Sequence, residues 1–177
     1  MISASELTQK IQAVRMLLLD VDGVLTDGRI IYHHSGEEAK VFHVRDGLGI
    51  RLLFSAGLEV GIATGRSSPA LVHRCRNLGI KRIYDGLEDK IPVLERIARE
   101  AGVPPGGIAF VGDDLPDLGV MNRVGLALAV ADAHEMVLRR ADWITNKPGG
   151  LGAVREVCEL ILKEKGLWNT VTRRFDE

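Results

Sequence analysis

The feature that most constrains this chain is a short apolar run at 14–19, interrupted by Arg15, that stops at Asp20-Val21-Asp22-Gly23. The run is too short for a buried helix and lacks the alternation of a strand with one wet face. It predicts a strand buried on both faces, the signature of a parallel sheet covered by helices. A second run of the same kind, at 108–111, ends on Gly112-Asp113-Asp114-Leu115-Pro116-Asp117. Between them, 58–63 reads as a core strand followed by Thr64.

Helical spacing fills the intervals. A helix at 46–56 ends at Gly57, and Ser67-Ser68-Pro69 opens another that ends at Gly79. Ile91, Leu94, Ile97 and Ala101 share one helix face, and a further helix lies around 134–139. Shorter strands are expected at 82–84, 125–130 and 142–144. Ser3 and Glu6 have capping-box spacing, so a helix precedes the first strand. Leu151, Val154, Val157, Cys158, Ile161 and Leu162 form the stripe of a last helix. Two β-prone stretches, 29–32 and 39–44, flank a polar turn containing His33 and His34 and predict a hairpin projecting from the end of strand 1.

The expected fold class is therefore α/β: a doubly wound parallel sheet with a β-hairpin flap after strand 1. One domain is expected over 1–177, with its core at about 10–165, the flap at about 27–45 and a C-terminal tail at about 166–177 carrying Trp168 and Phe175. A formal charge of −1, with no gathering of Lys and Arg, argues against a nucleic-acid partner. Cys75 and Cys158 sit in helical patterns without ligand or redox spacing, as buried thiols of a reducing compartment do. No basic segment leads into an apolar core at the N-terminus, and no apolar run approaches a membrane span. A cytoplasmic protein without a membrane partner is expected.

Ligands of open parallel sheets bind beyond the carboxyl ends of the strands, where this chain places Asp20, Asp22, Thr64, Asp113 and Asp114. Paired carboxylates at the mouth of a buried strand repel each other and are costly to desolvate unless a divalent cation joins them. Hard oxygen ligands suit Mg²⁺, with Asp113 the candidate to complete its shell and Asp114 and Asp117 orienting ligands or capping the next helix. One Asp pair alone reads equally well as turn chemistry; two acidic strand ends in one sheet favour catalysis. A carboxylate attacks phosphorus only where the phosphoryl oxygens are neutralised and held. Thr64 can donate its hydroxyl and N–H to phosphate, and Lys90 a mobile charge, although Lys90 taken alone is an ordinary surface lysine. Asp22 is placed to protonate a leaving alcohol and then activate water. His33 and His34 are expected in solvent, His43 and His134 in structural roles, and Gly149 and Gly150 in a turn.

Four blocks in this order resemble the haloacid dehalogenase superfamily of phosphatases: Asp20 to Gly28, Ala63-Thr64-Gly65-Arg66, Lys90, and Gly112-Asp113-Asp114. The resemblance implies that Asp20 is the nucleophile and Asp22 the acid/base, that Thr64, Gly65 and Lys90 hold phosphate, and that Asp20, the Asp22 backbone carbonyl and Asp113 bind Mg²⁺. About 40 residues separate Asp22 from Thr64, and fewer lie between Thr64 and Lys90. Neither interval has room for the cap domain that some members insert there, so a capless member is implied, closed by neighbouring subunits of a homotetramer. Further blocks at 41–47, 130–134 and 149–156 are similar to a branch that acts on phosphates of eight-carbon 2-keto-3-deoxy sugar acids in lipopolysaccharide precursor synthesis. There Arg66 would suit the sugar carboxylate or phosphate. Relatives acting on nine-carbon sialic-acid-type 9-phosphates share these motifs. Similar domains fused to sugar-nucleotide synthetases serve in oligomerisation without catalysis.

Overall fold

Ser3 opens the first helix, α1 (Ala4–Ala13), its hydroxyl accepting the Glu6 N–H at 3.2 Å. The structure, a computed structural model, describes residues 2–175; Met1 and the last two residues of the expected tail, Asp176 and Glu177, lie outside the described residues. Strand β1 (Met16–Leu19) is buried at every position, and a two-stranded antiparallel hairpin follows, β2 (Ile31–Tyr32) and β3 (Glu38–Ala39). The chain then alternates through α2 (Val44–Ser55), β4 (Glu59–Ala63), α3 (Pro69–Leu78), β5 (Arg82–Tyr84), α4 (Ile91–Ala101) and β6 (Ile108–Gly112). It continues with a short α5 (Leu118–Met121), β7 (Leu126–Ala129), α6 (Glu135–Arg140), β8 (Trp143–Ile144), α7 (Ala153–Glu164) and α8 (Trp168–Thr172).

Six strands form one parallel sheet in the order β5-β4-β1-β6-β7-β8. The chain runs outward from β1 through β4 to β5, then returns to the other side of β1 with β6. The direction of winding therefore reverses at β1, where a crevice opens between the diverging loops. Leu17, Leu18, Leu19, Ile62, Phe110 and Val111 fill the middle of the sheet with almost no exposure. Each such side chain is stabilised by roughly 1.5–3 kcal/mol relative to exposure. A one-residue slip in register would reverse the facing of every side chain in the strand. Between β1 and α2 the chain builds only the hairpin.

Three expectations are corrected. The hairpin has only two residue pairs, Ile31 with Ala39 and Tyr32 with Glu38. Its expected second strand stops early because His43 caps α2, Nδ1 accepting the Arg45 N–H, and Val44 begins that helix. Leu151 is not part of the last helical stripe: Gly152, at φ +102°, separates it from α7 and leaves it exposed. The segment after Gly166 folds as α8, with Val171 buried and the Trp168 ring beneath the Lys163 ammonium (5.0 Å) and the Arg155 guanidinium (5.7 Å). His33 and His34 are exposed in the hairpin turn, and Cys75 and Cys158 are buried, unbridged thiols. Among the described residues no helix is long and apolar enough to cross a membrane.

Candidate active site

Register alone aligns the polar strand ends. Leu19 pairs with Ile62 on one side and Val111 on the other, so Asp20 lies level with Ala63 and Gly112, and Thr64 and Asp113 one residue beyond. The Asp20 N–H completes the ladder to Val111 O at 3.1 Å. Every candidate residue, from Asp20 to Asp117 and including Gly65, borders one cleft of about 610 Å³ at this end of the sheet.

At its floor, Lys90 Nζ lies 3.0 Å from Asp20 Oδ1 and 2.7 Å from Asp117 Oδ1, with all three side chains buried. Burial by itself would lower the Lys90 pKa, but the charges of Asp20 and Asp117 outweigh it and hold the ammonium above its ordinary range. Desolvation raises Asp20 to about 6 against the pull of Lys90. Asp113 is pushed up to about 8 by burial, with the charges of Asp20, Asp117 and Asp114 adding to it. Asp20 Oδ1 has no aligned hydrogen bond despite its proximity to Lys90. Three crowded carboxylates around a single ammonium leave an excess of negative charge, the donor set of a hard divalent cation. Oxygens of Asp20, Asp113 and Asp117 lie within 4.8 Å of one another.

Within that triad Asp117 is already committed. Its Oδ1 accepts from Lys90, and its Oδ2 accepts the Asp113 N–H at 2.9 Å. It therefore orients the other two rather than offering a free oxygen. Asp114 is exposed and caps the turn at Leu115–Asp117, Oδ1 accepting the Leu115 N–H at 2.8 Å. Gly23, at φ +87°, brings its backbone so close to Asp113 that a Cβ there would sit 2.0 Å from Oδ2. Thr64 is buried, but its N–H bonds Tyr84 O at 2.9 Å within the sheet, which leaves only the hydroxyl for a ligand. The Asp22 carboxylate stands apart from the cation cluster and faces Lys40 and Arg66. Arg66 also bonds Glu38 and the Tyr32 hydroxyl, and these partners, Tyr32 first, raise its pKa further.

Sequence reasoning missed several of these groups. Lys40 and Glu38 come from the flap, and the hydrogen bond from Lys40, foremost, lowers the Glu38 pKa. His134 has the structural role expected of it: it caps α6 through Nδ1, and its backbone N–H also holds Asp113 O at 2.7 Å. Gly149 and Gly150 do more than turn the chain. They press against the loop carrying Asp22, the Gly150 N–H bonding Val24 O at 2.9 Å and the Gly149 N–H bonding the Asp132 carboxylate. Alternating burial and turn residues carry no sign of such cross-chain contacts.

A carboxylate cluster and a buried lysine at the reversal point of a parallel sheet define the haloacid dehalogenase-like hydrolases as a class, and that family's profile matches residues 80–156. The 3-deoxy-D-manno-octulosonate 8-phosphate phosphatase of Escherichia coli K12 is 45% identical over 163 residues, 92% of this chain and 87% of that protein. A crystal structure of the Yersinia pestis phosphatase of the same name superposes with TM-score 0.91 at 44% identity, covering 93% of this chain and 89% of the other. The Moraxella catarrhalis phosphatase, solved with a magnesium ion, a phosphate ion and a KDO molecule, gives TM-score 0.95 at 40% identity over 98% and 99% of the two chains. The chain belongs to this family of 3-deoxy-D-manno-octulosonate 8-phosphate phosphatases and is a phosphoric monoester hydrolase.

Proposed function

We propose that this chain hydrolyses 3-deoxy-D-manno-octulosonate 8-phosphate to the free sugar acid and inorganic phosphate, in the cytoplasmic synthesis of lipopolysaccharide precursors. The observation that carries the reading is the convergence of Asp20, Asp113 and Lys90 on one cleft in a chain so similar to phosphatases of that substrate. Two unbridged cysteines fit a reducing compartment.

Asp20 attacks phosphorus as the P–O bond to the sugar breaks, and Asp22 gives its proton to the departing oxygen. Asp22 then takes a proton from water as the water oxygen attacks the phospho-aspartate, which releases phosphate and restores Asp20. Lys90 and the Thr64 hydroxyl neutralise and hold phosphoryl oxygens. Asp20 and Asp113, with the Asp22 backbone carbonyl, would hold Mg²⁺, which supplies positive charge to the carboxylates and the phosphoryl group. Arg66, next to Gly65 at the rim, suits the sugar carboxylate. A homotetramer is part of the proposal: Ile30, Ile31, Tyr32, Val41 and Val44 leave an apolar surface on and beside the flap.

Phosphate release measured across eight-carbon and nine-carbon sugar-acid phosphates tests the substrate. The eight-carbon ester should have the highest kcat/KM, and the Asp20→Asn variant should release no phosphate from any ester. Preference for a nine-carbon 9-phosphate would replace this substrate with the sialic-acid type. Inactivity toward all of them would leave a domain that serves only in assembly.

A further inference from the structure

Lys40 is an unusual lysine. Its side chain is 2% exposed, yet it lies on the flap, the most exposed part of the described chain. A buried ammonium is tolerated only with carboxylate partners, and Lys40 has two: Asp22 Oδ1, and Glu38 Oε1 at 2.8 Å. Arg66 closes the ring, bonding Glu38 through one nitrogen and lying 3.5 Å from Asp22 Oδ2 through Nε. The flap is thus already tied to the strand-end loop by Arg66 and Glu38. The Lys40 contact to Asp22 is additional.

The two oxygens of Asp22 are unequal. Oδ1 faces an ammonium, which has donors only, so Oδ1 must accept. Oδ2 is buried and has no aligned hydrogen-bond partner. Oδ2, 3.5 Å from Arg66 Nε but in no aligned hydrogen bond, is the less engaged of the two oxygens. We propose that Lys40 is a positioning residue for the general acid, holding the Asp22 carboxyl through Oδ1 in the orientation that turns Oδ2 toward the leaving oxygen. The electron pair of the breaking P–O bond takes the general acid's proton, and Lys40 itself does not line the cleft. Lys40 lies on the flap, so the flap supplies this contact. This inference rests on the reading of Asp22 as general acid.

The test is the dependence of kcat/KM on leaving-group basicity, measured in the full chain with Mg²⁺ on a series from 4-nitrophenyl to phenyl phosphate. A nitrophenolate departs with little help, whereas a phenolate needs the proton. Lys40→Met should lose about 10- to 100-fold more on phenyl than on nitrophenyl phosphate, steepening the slope, and Lys40→Arg should restore it. Because the slope is a ratio within one protein, partial misfolding does not alter it. Equal losses across the series, with parallel slopes in Lys40→Met and wild type, would show a flap anchor only and overturn the proposal. Asp22→Asn must itself steepen the slope. If it does not, the general-acid reading of Asp22 fails first, and the two failures are told apart.

Discussion

Asp113 shows how much one residue depends on its neighbours. Its carboxyl, pushed to about 8 by burial and by surrounding acids, holds a proton in the cation-free fold that an unfolded chain releases near 3.8. Such a group contributes stability that is fully present at low pH and lost as the pH climbs through the folded value, because the folded state binds the extra proton. Asp20, raised to about 6, acts in the same direction. In EDTA the thermal midpoint should therefore fall between about pH 4 and about pH 8. Asp113→Asn should flatten that fall, and Mg²⁺ should lift the midpoint at the alkaline end. Scanning calorimetry decides it, and a wild-type midpoint that is level across this window contradicts the account. EDTA should also silence turnover and Mg²⁺ restore it. The acidic residues at this scale were legible because each ends an apolar strand. Lys40 was not, since one lysine in a short β-prone stretch looks like any solvated side chain.

Loops and element boundaries were less legible than the strands and helices they join. Gly79 in the left-handed conformation does end α3, and the strand at Arg82–Tyr84 lies where it was expected. The hairpin proved shorter, and Leu151 fell outside α7, because a helix cap and a glycine with positive φ override apolar patterning at the boundary. The Pro148-Gly149-Gly150 loop is an element whose purpose appears only in three dimensions. A Cβ on Gly149 would lie 1.6 Å from the Gly23 carbonyl oxygen, so the loop must hold glycine to pack there. Gly149→Ala should cost about 1–3 kcal/mol of stability as an overpacked contact. It should also lower kcat more than this loss of folded protein explains, because the displaced loop carries Asp22. Denaturant midpoints and turnover measured together check this; normal values for both would exclude the packing argument.

At the scale of the molecule, strand order turns four distant sequence blocks into one cleft. The cleft opens to solvent under a hairpin of four paired residues, too small to exclude water from a phosphoryl transfer. If subunits close it, sedimentation should show a tetramer, and dilution to monomers should impair the sugar phosphate more than a small aryl phosphate. Equal loss on both would count against closure by neighbours. The sequence by itself determined the alternation of buried strands with amphipathic helices and the acidic ends of the central strands, because burial period and turn chemistry act over a few residues. Only the tertiary structure decided that Lys90 meets Asp117, that Lys40 clamps Asp22 and that Gly149 rests on Gly23. Those partners are remote along the chain, and strand order and loop packing bring them into contact through space.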